Sequence, residues 1–174
     1  MTRVLLITGA RSLATRPGAE AWARAKIAEA LRGVDIVVIG DARDGADPWA
    51  WDEAATPERP VHVYRTRGPH AGRIWIAGER EFARWTTVAP PSNSAEHWEW
   101  SRWLKSRNAA MVRDIAAMRA AGDTVSVLAL LDGLKVDVPP RDGKPGKRAT
   151  RGTEHTVGLA RDAGLTVREE VWRG

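Results

Sequence analysis

Apolar positions along the chain fall into short continuous runs that alternate with stripes at helical spacing. Residues 3–8, Arg-Val-Leu-Leu-Ile-Thr, form a run rich in β-favouring types that ends at Gly9, the pattern of a buried strand entering a tight turn. A helix is expected next. Pro17 suits a first helical position, Ala23, Ile27, Ala30 and Leu31 recur at helical spacing, and Gly33 stops the pattern. Asp35 to Gly40 reads as a second buried strand, followed by a Gly/Asp-rich turn and a short helix around Pro48 to Ala55. Val61 to Tyr64 is a third strand. The order β-α-β-α-β predicts a parallel sheet joined by right-handed crossovers.

The second half continues the alternation after a less regular stretch. In residues 66–94, Arg-Ile-Trp-Ile and Arg-Trp-Thr-Thr-Val flank a charged Gly-Glu-Arg-Glu turn, which fits either a β-hairpin or an ordered loop. From Ser94 to around Ala121, Trp100, Leu104, Met111, Ile115 and Met118 follow one helical stripe that Asn108 completes. Thr124 to Leu131 is the strongest strand pattern. Asp132 to Arg151 reads as an exposed basic loop, Thr153 toward Gly164 as a helix, and Val167 to Trp172 as a last strand. Without a repeat or linker, the chain is expected to form a single α/β domain over 1–174, with a mostly parallel sheet, an irregular insertion at 66–94 and the basic loop at 132–151.

Composition narrows the function classes. At 174 residues with 43% hydrophobic and 28% charged content, the chain has the make-up of one folded domain. The absence of cysteine removes a disulfide scaffold, a thiolate zinc site and a cysteine nucleophile together. The apolar run at the N-terminus is too short for a secretory signal, and no stretch approaches a membrane span, so a cytoplasmic protein with no membrane partner is expected. The net charge of +5 is the difference between 27 basic and 22 acidic side chains, which describes a solvated surface better than a nucleic-acid footprint. None of the 4 histidines stands in metal-ligand spacing, and neither a metal nor a cofactor is expected. Assembly into a homo-oligomer is compatible with the chain.

Ligands of open α/β sheets bind beyond the carboxyl ends of the strands, where helix N-termini gather. In the first such loop, Gly9 and Ala10 would admit a ligand to the backbone and Arg11 could grip a phosphate or carboxylate. The dinucleotide GxGxxG and P-loop patterns are both missing. In the second, from Gly40 to Asp47, Asp41, Asp44 and Asp47 around Gly45 could meet ribose hydroxyls or a metal, while Asp47 before Pro48 serves equally as a helix cap. Asn108, polar on an apolar stripe and next to Arg107, must find partners, either structural or in a ligand. Gly152 and Thr153 open the last helix, where Thr153 could cap and free N–H groups could take an anion. Arg141, Lys144, Lys147, Arg148 and Arg151 precede it. Trp98, Trp100 and Trp103 near His97 raise base stacking as a further use.

These pieces, in order, resemble the SLOG superfamily, near its branch of small stand-alone YspA-like (YAcAr) domains. The resemblance rests on Leu5 to Arg11, Gly40 to Asp47, Arg107-Asn108 with Met111, and Gly152-Thr153 with Ala160 and Gly164. It implies a Rossmann-like three-layer sandwich with a pocket for a nucleotide or nucleotide-derived molecule. In the related cytokinin-activating phosphoribohydrolases a helix Arg, matched by Arg107, acts with a Glu after the Gly-Thr. Here Thr156 occupies that register, Glu154 lies two places earlier, and Asp44 is an extra residue in the second loop. The resemblance thus implies ligand binding or sensing through Gly9, Ala10, Arg11, Gly40, Asp41, Gly45, Asp47, Arg107, Asn108, Gly152 and Thr153. The alternatives are an N-glycosidase with Arg107 and Glu154 as catalytic candidates, and a nucleic-acid-binding protein.

Overall fold

A computed structural model describes residues 1–66, 83–88, 97–137 and 151–174. Its sheet comprises β1 (Arg3–Gly9), β2 (Ile36–Ile39), β3 (Val61–Thr66), β4 (Ala83–Val88), β5 (Thr124–Asp132) and β6 (Thr166–Trp172). All pairings are parallel, in the order β4-β3-β2-β1-β5-β6. The helices are α1 (Ala19–Ala30), α2 (Ala46–Ala54), α3 (His97–Ala120) and α4 (Gly152–Asp162).

The strands read as nearly unbroken apolar runs because both faces of the sheet are covered. Leu5, Ile7, Val37, Ile39, Val61, Val63, Leu128 and Leu130 pack against α1 and α2. Their neighbours Val4, Leu6, Val38, Tyr64, Val125 and Val127 pack against α3 and α4. The result is a Rossmann-like three-layer α/β fold, as expected. The order runs outward from β1 in both directions, so the topological switch point, the place where open α/β sheets bind their ligands, lies between β1 and β5.

Several local expectations are corrected. Pro17 does not begin a helix: a 3-10 turn at Arg11–Thr15 comes first, and α1 starts at Ala19 behind Gly18, whose φ of 77° reverses the chain. The second helix starts two residues before Pro48, because Gly45 at φ 91° ends the loop early; Asp47 is therefore inside the first turn and not at the cap. Thr153 likewise lies inside α4, whose cap position is Arg151 with no side-chain cap bond. Ala83–Val88 is not a loop but a sixth strand, parallel to β3, and the sheet is wholly parallel among the described residues. The Arg-Ile-Trp-Ile and Gly-Glu-Arg-Glu segments, and Ser94, lie outside the described residues.

Candidate functional site

A chain of buried polar side chains joins three elements at the carboxyl edge. Asp41, just past β2, pairs with Arg107 of α3, and both side chains are less than a tenth exposed. The Arg107 Nε and Nη2 donate to Asn108 Oδ1 at 3.1 and 2.9 Å. Asn108 Nδ2 donates to Thr156 Oγ1 of α4 at 2.7 Å, and Thr156 Oγ1 in turn donates to the Gly152 carbonyl at 3.0 Å. Adjacent positions on one helix thus reach opposite ways, Arg107 toward β2 and Asn108 toward α4. Both ends of the polar amide on the apolar stripe are engaged, which offsets the cost of burying it.

Gly40 makes room for this arrangement. A Cβ there would come within 2.6 Å of both Arg107 Nη2 and Asp47 Oδ2. Asp47 accepts the Ala42 N–H at 2.8 Å, folding the loop back onto the first turn of α2. Burial pushes the Asp47 carboxyl above the usual range; the Arg107 charge and the Ala42 and Gly40 N–H groups oppose that rise, while Asp41 adds to it. The Arg107 guanidinium thus pairs with Asp41 and acts electrostatically on the buried Asp47 as well.

The first loop belongs to a different corner. Gly9 packs so tightly that a methyl group would overlap the Ala46 side chain, and it would also lie 3.3 Å from the Leu130 carbonyl. Ala10 N–H donates to Leu130 O at 2.9 Å and is not available to a ligand. These two residues bring α2 and β5 against β1, whereas Arg11 is exposed. Gly45 approaches this loop, with a Cβ position 3.1 Å from Ala10 O. Beside it, Asp132 at the end of β5 accepts from Arg16 Nε at 3.1 Å and Leu134 N–H at 3.0 Å. Burial would raise this carboxyl, but Ser12, Arg16 and the Leu134 N–H outweigh it and hold Asp132 low. The Ser12 hydroxyl lies against Asp132, yet its Oγ is buried without a partner at hydrogen-bonding geometry.

At the start of α4, Gly152 is exposed, with nothing near its Cβ position, while Thr153 is buried. Glu154 Oε2 is buried without a partner among the described residues, and Oε1 is 3.9 Å from Lys135 Nζ. Arg151 is exposed and 3.7 Å from Asp137. Arg141, Lys144, Lys147 and Arg148 lie outside the described residues, as do the side chains of Trp98, Trp100 and Trp103.

Of the residues singled out by sequence, Gly40, Asp41, Asp47, Arg107 and Asn108 come together, joined to the start of α4 through Thr156. Gly9, Ala10, Arg11 and Gly45 form the neighbouring corner, and Asp44 is exposed. Sequence reasoning missed the structural use of Thr156 and missed Asp132 altogether. The signal for Asp132 was its place at the end of the strongest strand. Among the described residues no three His, Asp or Glu groups could hold a metal ion, and no helix is long and apolar enough to cross a membrane. Family models, curated proteins and solved structures were all compared with the chain, and none matches it.

Proposed function

We propose that this chain binds a nucleotide or nucleotide-derived small molecule at the carboxyl edge of its sheet. The observation that carries this reading is the convergence of separated motifs: the ends of β2 and α4 and the middle of α3 meet through Asp41, Arg107, Asn108 and Thr156. An internal ion pair of this kind has little stabilising value compared with apolar packing, so its presence at the carboxyl edge of the sheet favours a site that needs polar preorganisation. In this reading Arg11 and the first-turn N–H groups of α4 at Gly152 and Thr153 take the anionic part, and the Asp41 to Asp47 loop faces the sugar. Arg107 and Asn108 hold that loop in place more than they touch the ligand. The resemblance to the SLOG superfamily supports the same assignment.

A second reading, an N-glycosidase, is favoured by one observation: Glu154 Oε2 at the first turn of α4, unpartnered among the described residues. Against it, the position where the resembling hydrolases carry their Glu is Thr156, which is wholly buried and bonded to Asn108.

A melting screen against mononucleotides, cyclic nucleotides and ADP-ribose derivatives separates these readings, with chromatography of each hit. A ligand at 100 times its Kd adds about 2.7 kcal/mol, an easily seen shift. Recovery of intact ligand supports binding, and release of a base supports the hydrolase. No shift with any of these, together with salt-sensitive binding of an oligonucleotide, would overturn both in favour of a nucleic-acid-binding protein.

A further inference from the structure

The sheet ends at β4 on one side and at β6 on the other, and among the described residues no strand pairs with the outer side of β6. Apart from Met1, the exposed large apolar side chains among the described residues are Leu134, Val136 and Val171. Val171 lies near the carboxyl end of this strand, and Leu134 and Val136 lie in the segment that follows β5. Gly133 N–H donates to Trp172 O at 2.8 Å, carrying the β5–β6 ladder into the turn that bears Leu134.

Open edges are commonly blunted by charges that repel another strand. The charges of β6 are instead balanced one by one. Arg168 pairs with Glu29 at 3.1 Å and Glu170 at 2.6 Å, Glu170 also with Lys26 at 3.2 Å, and Glu169 with Arg161. No uncompensated row of charge faces an incoming strand.

The strand is also complementary to itself. A twofold axis normal to the sheet preserves its two faces only when opposed residues are an even number of positions apart. With the axis at Glu169, Arg168 stands opposite Glu170 of a second copy and Val167 opposite its Val171, and each pair occurs twice. An axis at any of the three charged residues opposes two like charges at the centre, but axes at Arg168 or Glu170 lose the Arg168–Glu170 match. The two Glu169 side chains meet at the chosen axis, each with its own Arg161.

We propose that two copies of this chain associate edge to edge, β6 antiparallel to β6 about Glu169, into one continuous sheet. Main-chain hydrogen bonds supply the attachment, the Arg168–Glu170 pairs set the register, and the valine pairs with the apolar turn cover its flanks.

Sedimentation of the full chain across the micromolar range should show a monomer–dimer equilibrium. Arg168→Glu and Glu170→Arg, each alone, place like charges opposite one another and should weaken the dimer about tenfold or more. Mixed in equal amounts, these two variants regain opposite charges across the interface and should recover the dimer, although neither is repaired internally. Val171→Lys should weaken it as well. Circular dichroism and melting curves confirm that each variant is folded. A wild-type chain that stays monomeric, single variants that dimerise like wild type, or a mixture that fails to recover the dimer would each overturn the proposal.

Discussion

Two corners of the same sheet edge handle their polar residues in opposite ways. Where β2, α3 and α4 meet, Asp41, Arg107, Asn108 and Thr156 are buried and satisfy one another. Where β1 leaves the sheet, Gly9 and Ala10 are engaged in packing and a ladder-like hydrogen bond, and the charged Arg11 is exposed. The contrast teaches that residues with similar claims as ligand contacts divide into those that hold elements together and those left facing solvent. Stability should reside in the first corner, and the grip of Arg11 on the anionic part of a ligand belongs to the second.

The largest effect should separate Arg107 from Arg11. Arg107→Met leaves Asp41 buried beside a second carboxyl and should cost about 3–5 kcal/mol in urea unfolding, partly recovered by adding Asp41→Asn. Arg11→Met should stay within about 0.5 kcal/mol of wild type, while shrinking the melting shift of any nucleotide hit. Equal losses at the two positions would erase the distinction between the corners.

Glycine substitutions sharpen it at the next level. Gly9→Ala and Gly40→Ala each force a methyl group into occupied space and should cost about 1–3 kcal/mol by chemical denaturation. Gly152→Ala meets nothing within 4 Å and, sitting at a helix start, should be neutral or slightly stabilising. A neutral Gly40→Ala would mean that Arg107 is not held where the ion pair places it. Thr156→Val strands the Asn108 amide and should cost about 1–2 kcal/mol, whereas Thr156→Ser, which keeps the hydroxyl, should lose less.

The smallest effects are in the pH dependence. Because burial raises the folded-state Asp47 carboxyl, its contribution is largest at low pH and is lost as pH rises from about 3.9 through the folded value. Asp47→Asn should flatten that decline. His62, held low by burial and then by Arg84, acts in the other direction: the unfolded chain takes up its proton first as pH falls below about 6.5, so stability drops on acidification. His62→Gln should remove that drop, as read from melting temperatures across pH 4 to 8.

Much of this molecule was legible one residue at a time. Leu5, Ile7, Val37 and Leu128 announce strands buried on both faces, and a polar Asn108 on an apolar stripe announces that partners must exist. The identity of those partners was not legible. Thr156 is an ordinary helical threonine until α4 lies beside α3, and Asp132 looks like a loop residue until Arg16 and the Leu134 N–H close on it. Ala83–Val88 has the β-branched content of a strand, but its partner β3 is chosen by sheet order, which local pattern does not encode.

The sequence by itself determined the elements, their alternation and hence a parallel three-layer architecture, because hydrophobic periodicity and right-handed crossover are properties of short segments. Only the tertiary structure decided which glycines admit a neighbour's side chain, which arginine is locked against a carboxylate, and which strands lie at the edges of the sheet. Those outcomes depend on contacts between segments far apart in the chain, where burial and charge are set jointly by residues that no local pattern connects.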